Sequence, residues 1–156
     1  MVVEIEALFP RLRSAPYRIT SPRHRDYNCI AWAAGDSERW WWPDADPDNE
    51  AVYWPAGAPR EESLAAFAAV FAALGFTACD DAVLVVGVER VALFAGSDGL
   101  PTHASRQLPN GRWTSKIGFL EDIEHDLYDL EGSEYGAVVR IMRRPVPAPP
   151  GVSHAD

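Results

Sequence analysis

The polar and apolar positions of this chain change period along its length, and each period predicts an element. Leu64, Phe67, Phe71 and Leu74 recur at three- and four-residue spacing, which puts them on one face of an α-helix. Pro59 stands ahead of that stretch, Glu61 and Glu62 complement a helix N-terminus, and Gly75 closes it. A shorter helix is predicted over residues 26–36, where Asp26 and Asn28 suit a cap, alanines follow and Gly35 suits a stop. Cys29 then falls in its first turn. Between Glu121 and Leu130, the spacing of Ile123, Leu127 and Leu130 predicts a third helix, with His125 on its surface beside Glu124 and Asp126.

After Phe76 the apolar runs become short and β-branched, which predicts strands over residues 82–86 and 90–95, interrupted by Gly87 and closed by the turn Ser97-Asp98-Gly99. Residues 103–108 and 112–117 flank Pro109-Asn110-Gly111, a hairpin signal. Residues 135–142 return as a strand, giving an antiparallel sheet of about four or five strands. The proline-punctuated residues 1–25 read as an irregular lead-in with one helical turn around Ile5, Leu8 and Phe9. Residues 40–55, with Trp40-Trp41-Trp42, Trp54 and several Asp, Asn and Pro residues, read as a long aromatic loop of the kind that often carries function. Proline density after Arg144 predicts a disordered tail over residues 145–156 and one domain over residues 1–144.

At 156 residues the chain matches the size of one domain, and 47% hydrophobic residues against 24% charged supply a core. The net charge of −9 repels phosphate backbones and anionic lipid, so neither nucleic acid nor a membrane surface is an expected partner. No run approaches the roughly 18 apolar residues of a membrane helix. The first residues lack a basic start followed by a long apolar run, so the expected location is cytoplasmic, with export as an effector the alternative. The two cysteines are expected to be reduced. Cys79 has no capping context and reads as structural, whereas His24 and His154 read as solvent residues.

Chemistry concentrates at Cys29. A thiol in the first turn of a helix gains from the helix dipole and from free N–H groups, which favour the thiolate and can hold an oxyanion. Such a nucleophile needs a base, and His103, on a strand entered through a turn, is the candidate. A tight two-residue turn at Asn110-Gly111 would put Thr114 and Lys116 on the His103 face, while a bulge would bring Ser115 there instead. Asn28, Gln107 and Asp122 complete the candidate orienting or oxyanion groups, and Trp32, Trp42, Trp54 and Trp113 are candidates for a substrate wall. The sequence has no zinc-like clustering of Cys and His, no calcium-loop spacing and no phosphate-cradling glycine motif, so no metal and no cofactor is expected.

Three segments carry a family resemblance: Tyr27-Asn28-Cys29-Ile30-Ala31-Trp32-Ala33, Arg90-Val91-Ala92-Leu93-Phe94, and Gly99-Leu100-Pro101-Thr102-His103-Ala104-Ser105. In these the chain resembles the NlpC-like and CHAP-like branch of papain-fold thiol peptidases and amidases. Residues 27–33, 102–108, 111–118 and 122–125 are also similar to those of a group of bacterial proteins with no activity attached. The first resemblance implies an α+β, papain-like fold in which a Cys-bearing helix packs on a small antiparallel sheet carrying a His and a polar orienter. It departs from the pattern at Arg90, which stands where NlpC-like enzymes place the base His, and an Arg stays protonated. Either His103 is the base or the site is degenerate. The expected function is therefore cysteine-dependent hydrolysis of an amide bond in a peptide or protein, or side-chain deamidation, by a Cys29–His103 pair. The alternative is an inactive papain-fold module that binds a protein through the Trp-rich loop.

Overall fold

The computed structural model describes residues 2–146. The lead-in is more ordered than its prolines predict: helix α1 (Val2–Leu8) and a 3-10 turn (Pro10–Arg13) precede strand β1 (Arg18–Ser21). Helices α2 (Cys29–Ala33) and α3 (Leu64–Ala73) come next, followed by strands β2 (Thr77–Cys79), β3 (Val88–Ala95), β4 (Pro101–Gln107), β5 (Trp113–Lys116) and β6 (Asp122–His125). A 3-10 turn (Leu127–Leu130) leads to β7 (Ala137–Pro145). The architecture is mixed α+β, with one seven-stranded sheet in the order β1-β6-β5-β4-β3-β7-β2 and every pairing antiparallel.

Strand alternation divides the core into two layers. Val91, Leu93 and Ala104 face α2, α3 and the buried Trp41 and Trp54. Ala92 and Phe94 face the other way, onto Ile5, Phe9, Leu12, Trp113, Ile123 and Leu130. Phe67 and Phe71 are the buried residues of the predicted α3 face. That helix starts at Leu64, later than Pro59 suggests, because Ser63 caps it by accepting from the Ala66 N–H at 3.1 Å.

Three expectations need correction. Residues 82–86 form no strand: Val85 accepts from the Val88 N–H in a turn at Gly87, and Val86 is 97% exposed. A β-branched run becomes a strand only where a neighbouring strand pairs with it, and the edge strand forms upstream, at β2. The predicted helix over 121–130 is instead β6 followed by the 3-10 turn. The spacing of Ile123, Leu127 and Leu130 survives because both pieces pack on the second core. The tail does not begin at 145, since Pro145 pairs with Val88 and the Val146 N–H donates to Gly87 at 2.8 Å; the rest of the predicted tail lies outside the described residues.

The hairpin takes the second of the two registers left open by the sequence. Leu108 pairs with Arg112 around a three-residue loop, with Gly111 at φ +89° accommodating the left-handed position. Arg106 therefore lies opposite Thr114, and Gln107 opposite Trp113. One residue of shift moves every side chain to the other face, so Ser115 joins His103 while Thr114 and Lys116 turn towards α2.

Candidate functional site

Asn28 caps α2 by accepting from the Ala31 N–H at 3.1 Å, and the same amide clamps the Trp-rich segment. Its Oδ1 accepts from the Trp41 N–H at 3.1 Å and its Nδ2 donates to the Trp41 carbonyl at 2.8 Å. Its side-chain amide is thus committed to structure, which does not match an orienting or oxyanion role. Cys29 follows in the first turn, partly buried, on a helix that lies across β4 and β5. Burial pushes its thiol up to about 11, although the N–H groups of Ala104, Ile30 and Cys29 itself, together with Lys116, favour the thiolate. Desolvation thus outweighs the helix-start effect.

The groups gathered with Cys29 on this face are not those of a Cys–His pair. Lys116 is fully buried. Its ammonium donates to the carbonyls of Gly118, at 2.9 Å, and Leu120, and lies 5.3 Å from the Tyr27 ring centre. Burial lowers its pKa, opposed by Asp122, Cys29 and Glu121. The Tyr27 hydroxyl donates to Asp122 at 2.6 Å and Ser21 donates to the same oxygen. The other carboxylate oxygen of Asp122 is buried without a partner. Trp32 donates through Nε1 to Thr114 at 3.0 Å and has the Arg106 guanidinium 5.5 Å from its ring. Cys29, Thr114, Lys116, Asp122 and Trp32 are therefore brought together, whereas His103 is not among them.

His103 lies on the opposite face, stacked on Tyr135 at 4.0 Å and edge-on to Phe94. Its Nε2 is 2.9 Å from Ser115 Oγ, which is also 2.6 Å from Ser105 Oγ and 2.7 Å from His125 Nε2. The proton positions follow by elimination. His125 Nδ1 lies 2.9 Å from the Asp126 carbonyl, so it donates there. Its Nε2 must then accept the Ser115 proton, which leaves Ser115 Oγ to accept from Ser105 and from His103 Nε2–H. His103 Nδ1 remains buried without a partner. Desolvation holds His103 well below the ordinary imidazole range, with His125 adding to the effect, and holds His125 down to about 4. His125 is thus a buried member of this network, contrary to the surface position predicted for it.

The remaining candidates serve the scaffold. Gln107 donates to the Ala82 carbonyl at 2.9 Å. Trp113 is buried in the second core and Trp54 in the first, with its Nε1 on the Pro59 carbonyl, while Trp42 packs edge-on to Phe67; of the predicted wall, Trp113 alone lies on the face away from Cys29. Arg90 is buried and grips Asp81 through its carbonyl at 3.1 Å and its carboxylate at 3.3 Å. Cys79 lies at the sheet edge with its thiol on the Asp81 carbonyl. Both cysteines are free. Among the described residues no three His, Cys, Asp or Glu side chains converge to hold a metal ion, and no helix is long and apolar enough to cross a membrane. Sequence reasoning did not assign roles to Tyr27, Ser105 or Tyr135. The alternation His103-x-Ser105 was the available signal for the serine, but only the true hairpin register puts Ser115 beside it.

A family model described as a domain of unknown function (DUF7689) matches residues 18–143, and the chain belongs to that family. No curated protein and no solved structure matches it.

Proposed function

We propose that this DUF7689 member is a papain-like α+β scaffold that works as a protein-binding module and not as a Cys–His hydrolase. The observation that carries this reading is the placement of Cys29 and His103 on opposite faces of the sheet, with His103 Nε2 committed to Ser115. A general base must come within hydrogen-bond reach of the proton it takes. Burial also keeps the Cys29 thiol protonated at neutral pH. The Trp-rich segment supplies a rigid binding edge: Trp41 and Trp54 anchor it in the core, while Trp40 packs at a tilt, 5.0 Å between ring centres, on Phe119, which is 57% exposed.

The test is the rate of Cys29 alkylation from pH 5 to 11 in a Cys79→Ser background, with and without His103→Gln, each variant checked for native circular dichroism. The expected thiol reacts slowly below about pH 9 and is indifferent to His103. A thiolate forming between about pH 5 and 7, and reverting towards about 8.5 without His103, would overturn the reading.

A second reading, thiol-dependent acyl transfer, is favoured by one observation: the buried ammonium of Lys116 and the Cys29 sulfur favour each other's charged forms. Once its proton has left to solvent, the Cys29 thiolate, stabilised by Lys116, would attack an amide carbonyl; the C–N bond would break as the amine leaves with a proton from solvent, and water would hydrolyse the resulting thioester. Under that reading Lys116→Met slows alkylation about tenfold at pH 8, and the parent protein hydrolyses a peptide amide.

A further inference from the structure

We infer that the cleft between the lead-in to α2 and the Trp40–Tyr53 ribbon is a docking site for a basic peptide segment, with an arginine or lysine side chain seated beside Trp40 and the carboxylates of Glu38 and Glu50. The inference rests on the binding-module reading and gives its partner a chemistry.

The cleft is lined by Asp26, Glu38, Arg39, Trp40, Glu50 and Tyr53, with Ala51 and Val52 between the last two. Its aromatic walls are held at fixed spacing by backbone bonds: the Tyr53 N–H donates to the Trp40 carbonyl at 2.7 Å and the Trp42 N–H to the Tyr53 carbonyl at 2.9 Å. Asn28, clamped on Trp41, ties this ribbon to the start of α2. The walls are therefore pre-formed, which reduces the ordering cost of binding.

The charges inside the cleft are unequal in number and in freedom. Arg39, its one cation, is already engaged: its Nε donates to Asp36 at 2.8 Å and its guanidinium lies 3.8 Å from the Tyr53 ring centre. The carboxylates of Glu38 and Glu50 hold no hydrogen bond or ion pair among the described residues, and Asp26 has only the imidazole of exposed His24 at 3.5 Å. A second cation entering the cleft meets free carboxylates and an aromatic face, a combination that attracts guanidinium and ammonium groups. Arg39 already covers Tyr53, whose ring also packs on Trp41 at 5.0 Å, so the aromatic face open to a second cation is that of Trp40.

The test uses fluorescein-labelled nonapeptides of alternating glycine with arginine, lysine or glutamate, followed by fluorescence anisotropy at low and physiological salt. The arginine peptide is expected to bind and the glutamate peptide not. Glu38→Gln with Glu50→Gln should weaken binding about tenfold, equal to about 1.4 kcal/mol, and Trp40→Ala should weaken it about fivefold. Asp46→Asn with Asp48→Asn removes the same charge outside the cleft and should change binding less than twofold. Equal losses in the two double variants would mean attraction to the overall negative charge only, and would overturn the site, as would no binding of either basic peptide. A His103-dependent thiolate would instead overturn the module reading itself, whatever the peptides do. An inert thiol with peptide binding indifferent to Glu38 and Glu50 would leave that reading standing and remove this site.

Discussion

At the scale of single residues, the Ser115 network controls how the protein responds to acid. His125 has its pKa lowered to about 4 by burial and burial holds His103 well below the ordinary imidazole range, so both are neutral in the folded state and titrate normally when unfolded. A depressed folded pKa gives stability that is fully present above the unfolded value near 6.5 and is lost as pH falls through the folded value. Stability is therefore expected to drop on the order of 3 kcal/mol from His125 alone between about pH 6.5 and 4. Urea unfolding at pH 7, 5.5 and 4 would read this, and His125→Gln should flatten the decline while lowering the plateau. A parent protein equally stable at pH 7 and 4 would show that these imidazoles are not buried neutral.

At the scale of elements, turns decide which side chains meet. The start of β7 depends on Gly136, whose φ is +76° and where an added Cβ would fall 2.0 Å from the Ala95 carbonyl oxygen. Neither the backbone angle nor the contact tolerates a side chain. Gly136→Ala is expected to destabilise by about 3 kcal/mol or more, seen as a lower denaturant midpoint with unchanged slope; a shift below about 0.5 kcal/mol would mean the β3–β7 junction is looser than drawn. The β4–β5 hairpin makes the same point at Gly111, where a three-residue loop in place of two exchanged Ser115 for Lys116 on the His103 face.

At the scale of the whole molecule, one sheet carries two separate cores, and the strands shared between them couple the two faces. Phe71→Ala, beneath the helices, and Leu130→Ala, on the opposite face, each remove a fully buried side chain and should cost about 3–4 kcal/mol. Their costs should add in the double variant, because the sites share no partner. Unfolding should stay a single transition whether followed by tryptophan fluorescence or far-ultraviolet circular dichroism. Two separated transitions would show that the layers fold independently.

Local sequence determined the elements whose signals are local. Asn28 and the alanines after it specified α2, the Phe67–Phe71 spacing specified α3, and strands β3 to β5 and β7 were legible from β-branched runs and turn residues. The net charge of −9 was likewise set by composition alone. What only the tertiary structure decided was whatever depends on a partner distant in sequence. Residues 82–86 have strand composition but no neighbour to pair with, and residues 122–125 have helical spacing but lie between β1 and β5. The candidate site was legible as a set of residue types and not as a set of neighbours. Cys29, Lys116 and Asp122 meet, and His103 is excluded, because a strand sends successive side chains to opposite faces and one residue in a turn sets the phase.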